Sequence, residues 1–184
     1  INLRINQGEK FGILGATGSG KSTLALCLNG SIPRQVPAIV KGRISIEDVD
    51  CSTLTATEIT QRVGLVFPNP DYGVIHILVE DDVAFGPSNL NIPMEEINKR
   101  VEFAIDACRL KGYEKRNTGD LSGGETQSVG VAGVMAMRTP VMVLDEPITM
   151  LDPVGKETIL SVSSYLNRQH SLTMIITEAG NDIE

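Results

Sequence analysis

The sequence predicts an α/β fold built on a parallel sheet, and three observations lead to that class. Short apolar runs typical of strands alternate along the chain with segments of helical spacing. The run PVMVLDEP, residues 140–147, is apolar until it ends in two acids, which is typical of a strand buried on both faces. A chain of 184 residues, 41% of them hydrophobic, is also long enough to bury the core of one domain.

Local patterns place the individual elements. The helical pattern KSTLALCLNG (21–30) is closed by an asparagine and a glycine. In KGRISIEDVD (41–50), apolar and polar residues alternate enough to predict an exposed strand. MEEINKRVEFAIDACRL (94–110) follows Pro93, carries acids in its first turn and has its apolar residues at helical spacing. The predicted buried strands share short apolar runs, and they are EKFGILG (9–15), RVGLVF (62–67), PVMVLDEP (140–147) and SLTMIITEA (171–179).

Composition and charge restrict the kinds of partner. A formal net charge of −7 and a pI of about 4.9 argue against a nucleic-acid-binding surface, which needs a basic patch. The three cysteines form no CxxC pair, so a reducing cytosolic setting fits better than a disulfide framework or a zinc site. No run approaches the length that crosses a bilayer, and no signal peptide opens the chain. A role at a membrane would therefore require docking onto a protein that spans it.

The first chemical motif is GATGSGKS, residues 15–22. It fits the pattern G-x-x-x-x-G-K-[ST] and stands between a strand and a helix, the context that the pattern requires. Its glycines let backbone N–H groups turn toward a phosphate, and the helix N-terminus adds the positive end of its dipole. We expect Lys21 to bind the β- and γ-phosphates and Ser22 to ligate Mg²⁺, as in a P-loop nucleotide triphosphatase. The predicted phosphate-binding residues are Gly15, Ala16, Thr17, Gly18, Ser19, Gly20, Lys21, Ser22 and Thr23.

Two acids close the apolar run 140–147. A phosphate loop of this kind requires an acid at the end of a neighbouring strand. Asp145 is placed to hold Mg²⁺ through water, and Glu146 is placed to polarise the attacking water as the catalytic residue. Paired acids can also simply end a strand at the surface, but the apolar run before them matches the strand that the loop needs.

A second glycine-rich helix opening stands at LSGGETQSVGVAG, residues 121–133. Ser122 with Glu125 three residues later predicts a capping box. The box does not account for Gly123 and Gly124, because glycine just inside a helix is destabilising unless something approaches the backbone closely. A second phosphate would be such a group.

These motifs together resemble those of the ATP-binding cassette (ABC) family. LSGGE resembles the family's signature, and GATGSGKST, VMVLDEP and MLDP stand at the expected places around it. VFPNPD, EDDVAFGPSNLNIP and ITMLDP are similar to the ATPase subunits of energy-coupling factor transporters, the cobalt, nickel and vitamin importers. The resemblance implies one ABC ATPase domain over residues 1–184. Its RecA-like parallel sheet core would comprise residues 1–74 and 139–184, with an inserted helical signature lobe at 75–138.

The resemblance also implies partners and cofactors. Two cassettes of this family pair head to tail, and each ATP, with Mg²⁺, lies between the phosphate loop of one and the signature of the other. Ser122, Gly123 and Gly124 would thus act on a partner's nucleotide, and Asp152 would carry contact across the dimer. The implied protein is a peripheral ATPase at the cytoplasmic face of the membrane that drives import of a metal ion or vitamin. Its other partners would be a transmembrane coupling subunit and a substrate-binding membrane subunit.

The acidic run EDD, residues 80–82, has two interpretations. It is either a solvated helix face or, by the same resemblance, part of the groove in which the transmembrane partner docks. The sequence leaves both open.

Departures from the family pattern lie near the expected γ-phosphate. Pro68 replaces a glutamine that contacts Mg²⁺ and the attacking water, with Asn69 as a candidate substitute, and Glu178 replaces a histidine. An upstream aromatic residue that stacks on adenine and the usual C-terminal segment are missing, so we expect a chain trimmed at both ends. Two alternatives to an active importer subunit therefore stay open. One is a catalytically weak half of an asymmetric pair, and the other is a soluble regulatory or repair cassette without a transport role.

Overall fold

The computed structural model describes residues 1–90 and 92–180, so the last four residues of the predicted core, 181–184, lie outside the described residues. Six strands and seven helices are named below in chain order. They are β1 (Lys10–Gly15), α1 (Lys21–Leu28), α2 (Ser31–Arg34), β2 (Ser45–Ile46), β3 (Val49–Asp50), α3 (Ala56–Thr60), β4 (Val63–Val66), α4 (Val79–Ser88), α5 (Met94–Ala107), α6 (Gly123–Ala136), β5 (Val141–Asp145), α7 (Pro153–His170) and β6 (Thr173–Ala179).

The main sheet has four strands in the order β1-β6-β5-β4, and all neighbouring pairs are parallel. The predicted parallel α/β class is therefore confirmed, and each predicted strand is present. β4, β5 and β6 are buried as predicted, but the predicted burial is wrong for β1, an edge strand whose residues alternate between exposed and half-buried. The expectation that the acids end a strand neighbouring the phosphate-loop strand is wrong, because β6 lies between β1 and β5. The side chains of β6 consequently come between the loop and the acids.

The predicted exposed strand at 41–50 is wrong in form. It is a short antiparallel hairpin in which β2 pairs with β3. Glu47 and Asp48 have φ of 51° and 63°, so both central residues adopt the left-handed conformation of a tight hairpin turn. The alternation is real, but the chain reverses in the middle of it.

The hydrophobic core has two halves, one on each face of the main sheet. Because side chains alternate along a strand, Val143 and Ile175 point to the half beneath α1 and the hairpin. Met142, Leu144 and Met174 point to the other half, which α4–α7 cover. Both faces of the central strands are therefore buried, as the continuous apolar run predicted.

The helices α4, α5 and α6 fall within the predicted lobe and pack against one another, and α6 contacts β4 of the sheet. α6 lies tightly against β4 at Gly64, where an added Cβ would lie 2.1 Å from Cγ1 of Val134 in α6. Val83 and Val129 are fully buried in the same core half as Met142. Through residues 1–90 and 92–180, no helix combines the length and apolar character needed to span a bilayer.

Candidate functional site

The predicted phosphate loop connects the end of β1 to the start of α1 as an exposed turn. Gly18 and Gly20 have φ of 80° and 97°, a conformation that side chains rarely adopt. Within the described part of the chain, no heavy atom lies within 4 Å of a Cβ built on either glycine, setting aside the adjacent residues. The glycines are therefore required by backbone conformation and not by close packing. Ser22 and Thr23 follow, exposed, in the first turn of α1.

Lys21 joins this loop to the acid after β5. Its side chain is 5% exposed, and its ammonium donates to the carbonyls of Gly15 at 2.9 Å and Ala16 at 3.2 Å. The same nitrogen lies 3.0 Å from Oε1 of Glu146. Buried charges need such partners, because desolvating an isolated ion is costly. The structure therefore brings together two of the predicted site residues that are far apart in the sequence.

Asp145 and Glu146 are held by Thr177 of β6, which the sequence analysis did not identify. The Thr177 hydroxyl donates to Oδ1 of Asp145 at 2.6 Å, and both residues are buried. The backbone N–H of Glu146 donates to the carbonyl and to Oγ1 of Thr177, each at 3.0 Å. Glu146 has a φ of 44°, which costs about 1–3 kcal/mol in a non-glycine residue and persists only where such contacts impose it. The signal in the sequence that could have indicated this role was the position of Thr177 directly before Glu178.

The capping box at the signature is confirmed. Ser122 Oγ accepts from the backbone N–H of Glu125 at 3.3 Å, and the Glu125 carboxylate accepts from the Ser122 N–H at 2.7 Å. That second hydrogen bond is the main cause that lowers the pKa of Glu125, and Tyr113 and Arg116 add to it. The guanidinium of Arg116 stacks on the Tyr113 ring at 4.3 Å. Ser122 and Gly123 are exposed.

A packing contact within the chain explains why a glycine stands at position 124, and the sequence did not predict it. It is buried, and an added Cβ would lie 2.6 Å from Cα of Gly155 in α7. Asp152, the predicted dimer-contact residue, is the N-cap of α7 and accepts from the Gly155 N–H at 2.9 Å. The signature and Asp152 therefore stand at the adjoining starts of two packed helices.

The loop after β4 contains Pro68 and Asn69. Asn69 Oδ1 accepts from the backbone N–H of Asp71 at 3.0 Å, so its side chain already caps a short 3₁₀ turn. The carbonyl of Phe67 accepts from Nε2 of Gln127, a 1% exposed side chain of α6. Gln127 lies in the segment 121–133, but the sequence did not predict its role, because its partner Phe67 is distant in the sequence.

Glu178 is 4% exposed at the end of β6. Thr149 donates its hydroxyl to Oε2 of Glu178 at 3.4 Å, and this threonine belongs to the segment that follows Glu146. Glu178 therefore connects β6 to that segment through an accepting carboxylate.

Comparison with known proteins agrees with this geometry. The sequence profile of the ABC transporter family matches residues 1–149. The chain is 44% identical over 177 residues to the energy-coupling factor transporter ATP-binding protein EcfA1 of Caldanaerobacter subterraneus, covering 96% of this chain and 62% of that protein. It is 41% identical over 184 residues to EcfA of Methanothermobacter thermautotrophicus, covering 100% of this chain and 57% of that protein. The chain thus spans about three fifths of the length of these relatives.

Solved structures show the same architecture. The structure of cbiO1 from Clostridium perfringens, part of the ABC transporter complex cbiONQ, superposes with a TM-score of 0.87 at 33% identity, covering 100% of this chain and 72% of that one. A dimeric ATP-binding cassette in a post-hydrolysis state with ADP and Pi superposes with a TM-score of 0.77 at 26% identity, covering 97% and 78%. With its phosphate loop, strand-end acids and signature helix, this chain belongs to the ABC transporter family.

Proposed function

We propose that this chain is the ATP-binding and ATP-hydrolysing subunit of an energy-coupling factor importer that takes up a metal ion or a vitamin. The observation that carries the proposal is the 3.0 Å ion pair between Lys21 and Glu146. It joins a phosphate loop to a carboxylate that can act as a general base. The names and identities of the energy-coupling factor relatives support the transport role.

The residues present fit ATP with Mg²⁺. The open turn at residues 16–20 offers backbone N–H groups, and Lys21 begins α1, where a positive side chain and the helix dipole both favour a phosphate. The Ser22 hydroxyl and the Asp145 carboxylate are oxygen ligands of the kind that Mg²⁺ prefers, and these two residues would hold the ion. When bound, Mg²⁺ neutralises negative charge on the β- and γ-phosphates.

Lys21 and Glu146 exchange partners in this proposal. Without nucleotide, the Lys21 ammonium is held by Glu146 and by two loop carbonyls. A triphosphate in the loop competes for the ammonium with more negative charge than one carboxylate carries. Glu146 then becomes free to accept a proton from the attacking water. The positive φ of Glu146 and its hydrogen bonds to β6 keep the carboxylate at the loop.

A second cassette subunit completes the site. Ser122, Gly123 and Asp152 are exposed, so Ser122 and Gly123 can approach a nucleotide that another subunit holds, and Asp152 can contact that subunit. Dimeric cassettes of similar structure, one of them with ADP and Pi, support this pairing.

The membrane partners would meet the chain at a groove between α4 and α5. This groove has a volume of about 990 Å³, and it is lined by acids such as Glu80 and Asp81 and by apolar side chains such as Phe85 and Met94. We propose that it receives the transmembrane coupling subunit at the cytoplasmic face of the membrane, while a separate membrane subunit binds the cargo. Asp82 has a different role, because its buried carboxylate accepts two backbone N–H groups of the preceding loop.

A second candidate function rests on Pro68 and Glu178. Pro68 offers neither a side-chain polar group nor an N–H to a nucleotide, and Asn69 is engaged as a cap. Glu178 brings an accepting carboxylate where the family has a histidine. These positions favour a nucleotide-binding half with weak turnover, paired with a more active subunit.

The deciding experiment measures Mg²⁺-dependent ATP hydrolysis and ATP binding by the purified chain, with Glu146→Gln as the control. Loss of the general base should lower kcat by about 10²-fold or more while ATP binding is retained. Turnover that Glu146→Gln leaves unchanged would contradict the assignment of Glu146. For the weak half, the double reversion Pro68→Gln with Glu178→His should raise turnover, and an unchanged rate would exclude that candidate.

A further inference from the structure

The starts of α6 and α7 touch through their backbones. A Cβ on Gly124 would lie 2.6 Å from Cα of Gly155, and a Cβ on Gly155 would lie 3.2 Å from Cα of Gly124. Carbon atoms that are not bonded do not approach as closely as 2.6 Å, so the first position excludes every side chain. Neither glycine has a positive φ, so this contact, rather than backbone conformation, is what requires them.

Each of these glycines lies directly inside an N-cap. Ser122 caps α6 two residues before Gly124, and Asp152 caps α7 three residues before Gly155. A Cβ on Gly155 would also lie 2.8 Å from Oδ1 of Asp152, the atom that accepts the Gly155 N–H. The contact and the two caps therefore form one junction, in which neither cap can shift without moving the other helix.

Leu151 anchors the junction to the protein interior. It is buried in the core half that α4–α7 cover. Its side chain passes 3.5 Å from where a Cβ on Gly123 would stand, which is ordinary van der Waals contact. Gly123 is exposed whereas Gly124 is buried, so the two glycines of the signature differ in their roles. Gly123 leaves the outer surface open to a ligand, and Gly124 brings α6 against α7.

We propose that Gly124 and Gly155 are positioning residues that fix the spacing of Ser122 and Asp152, so that Ser122 reaches a nucleotide held by a second copy of this chain while Asp152 contacts that copy. The inference rests on the proposed function, because it needs a nucleotide supplied by the partner. It adds Gly155, a residue outside the signature and the phosphate loop, to the groups on which the composite site depends. An alanine there pushes against the cap of α7 and against the backbone of α6 at once.

The test compares Gly155→Ala with Gly130→Ala, both in a Glu146→Gln chain that retains its ATP. Gly130 lies in α6, the helix that Gly155 of α7 contacts, but its added Cβ would be 4.0 Å from Val66, so it serves as the control. Sedimentation analysis with ATP and Mg²⁺ should show at least ~10-fold weaker dimerisation for Gly155→Ala, a change equivalent to about 1.4 kcal/mol. Its ATP affinity as a monomer should stay within about twofold of the parent, since the phosphate loop lies on other elements. Gly130→Ala should match the parent in both measurements.

Mixing gives a second measurement. A Gly155→Ala chain supplies an intact phosphate loop, and a Lys21→Ala chain supplies an intact junction, so their mixture should regain one composite site and dimerise more tightly than either alone. Failure of this rescue, or unaltered dimerisation of Gly155→Ala, would overturn the inference. Joint loss of cooperative unfolding and ATP binding would make Gly155 a folding residue and would overturn it too. If the parent Glu146→Gln chain binds ATP but stays monomeric, the pairing with a second copy of this chain is refuted. If the parent chain does not bind ATP, the proposed function itself is refuted.

Discussion

Replacing Thr177 with valine tests whether β6 holds the two acids in place. Valine has nearly the shape of threonine, but it cannot donate to Oδ1 of Asp145, which now receives a 2.6 Å hydrogen bond in a buried setting. A hydrogen bond to a charged group contributes about 1.5–3 kcal/mol, so we expect a loss of about 2 kcal/mol in the free energy of unfolding. Valine also cannot accept the 3.0 Å hydrogen bond that the Glu146 N–H donates to Oγ1 of Thr177. That N–H keeps its 3.0 Å hydrogen bond to the Thr177 carbonyl, which limits the loss.

Thr177→Ser is the matched control, because it keeps the hydroxyl and removes one methyl group, at a cost of about 0.8 kcal/mol. Urea denaturation of the nucleotide-free chain at pH 7 should therefore rank the variants as wild type, serine and valine in falling stability. Equal stabilities of the serine and valine variants would refute the argument, since losing the hydroxyl would then cost no more than losing one methyl group. A valine variant as stable as wild type would refute it equally.

Three further outcomes follow from the contacts of the signature helix and the buried thiols. Gln127→Leu removes the donor to the loop before Pro68, and it should lower the free energy of unfolding by about 1–3 kcal/mol in urea titration. Hydrogen bonding from the Ser122 N–H lowers the pKa of Glu125 in the folded chain, so its stabilisation is present above about pH 4.3 and is lost as the pH falls through the folded value. The Tm of Glu125→Gln should accordingly fall less than the Tm of wild type between roughly pH 5 and roughly pH 3. Equal falls in Tm for the two proteins would exclude this contribution of Glu125. Burial raises the pKa of Cys108 to about 12, so a thiol reagent at neutral pH should label the half-buried Cys27 first, and early labelling of Cys108 would contradict its burial.

The sequence alone was sufficient for features that depend on neighbouring residues. The phosphate loop lies within one strand–turn–helix unit, so the spacing of Gly15, Gly20 and Lys21 predicts the turn and its charge together. The capping box of Ser122 and Glu125 is equally local. The buried strands β4, β5 and β6 were predictable because a parallel sheet covered on both faces leaves a continuous apolar run, whereas the apolar run of β1 did not show that this strand lies at the sheet edge. The alternation at 41–50 was misleading, because alternation reports burial and does not reveal where the chain reverses.

Only the tertiary structure decided the contacts between distant segments. The position of β6 between β1 and β5 places Thr177 against Asp145, a pairing that no local period encodes, because register between strands is set by packing of the whole sheet. The contact of Gly124 with Gly155 likewise depends on how closely two helices cross, and glycine in a sequence does not say which backbone it meets. The residues that we propose for the chemistry could therefore be named from the sequence. The residues that position them became visible only in the fold, because positioning is a property of packing between segments far apart in the chain.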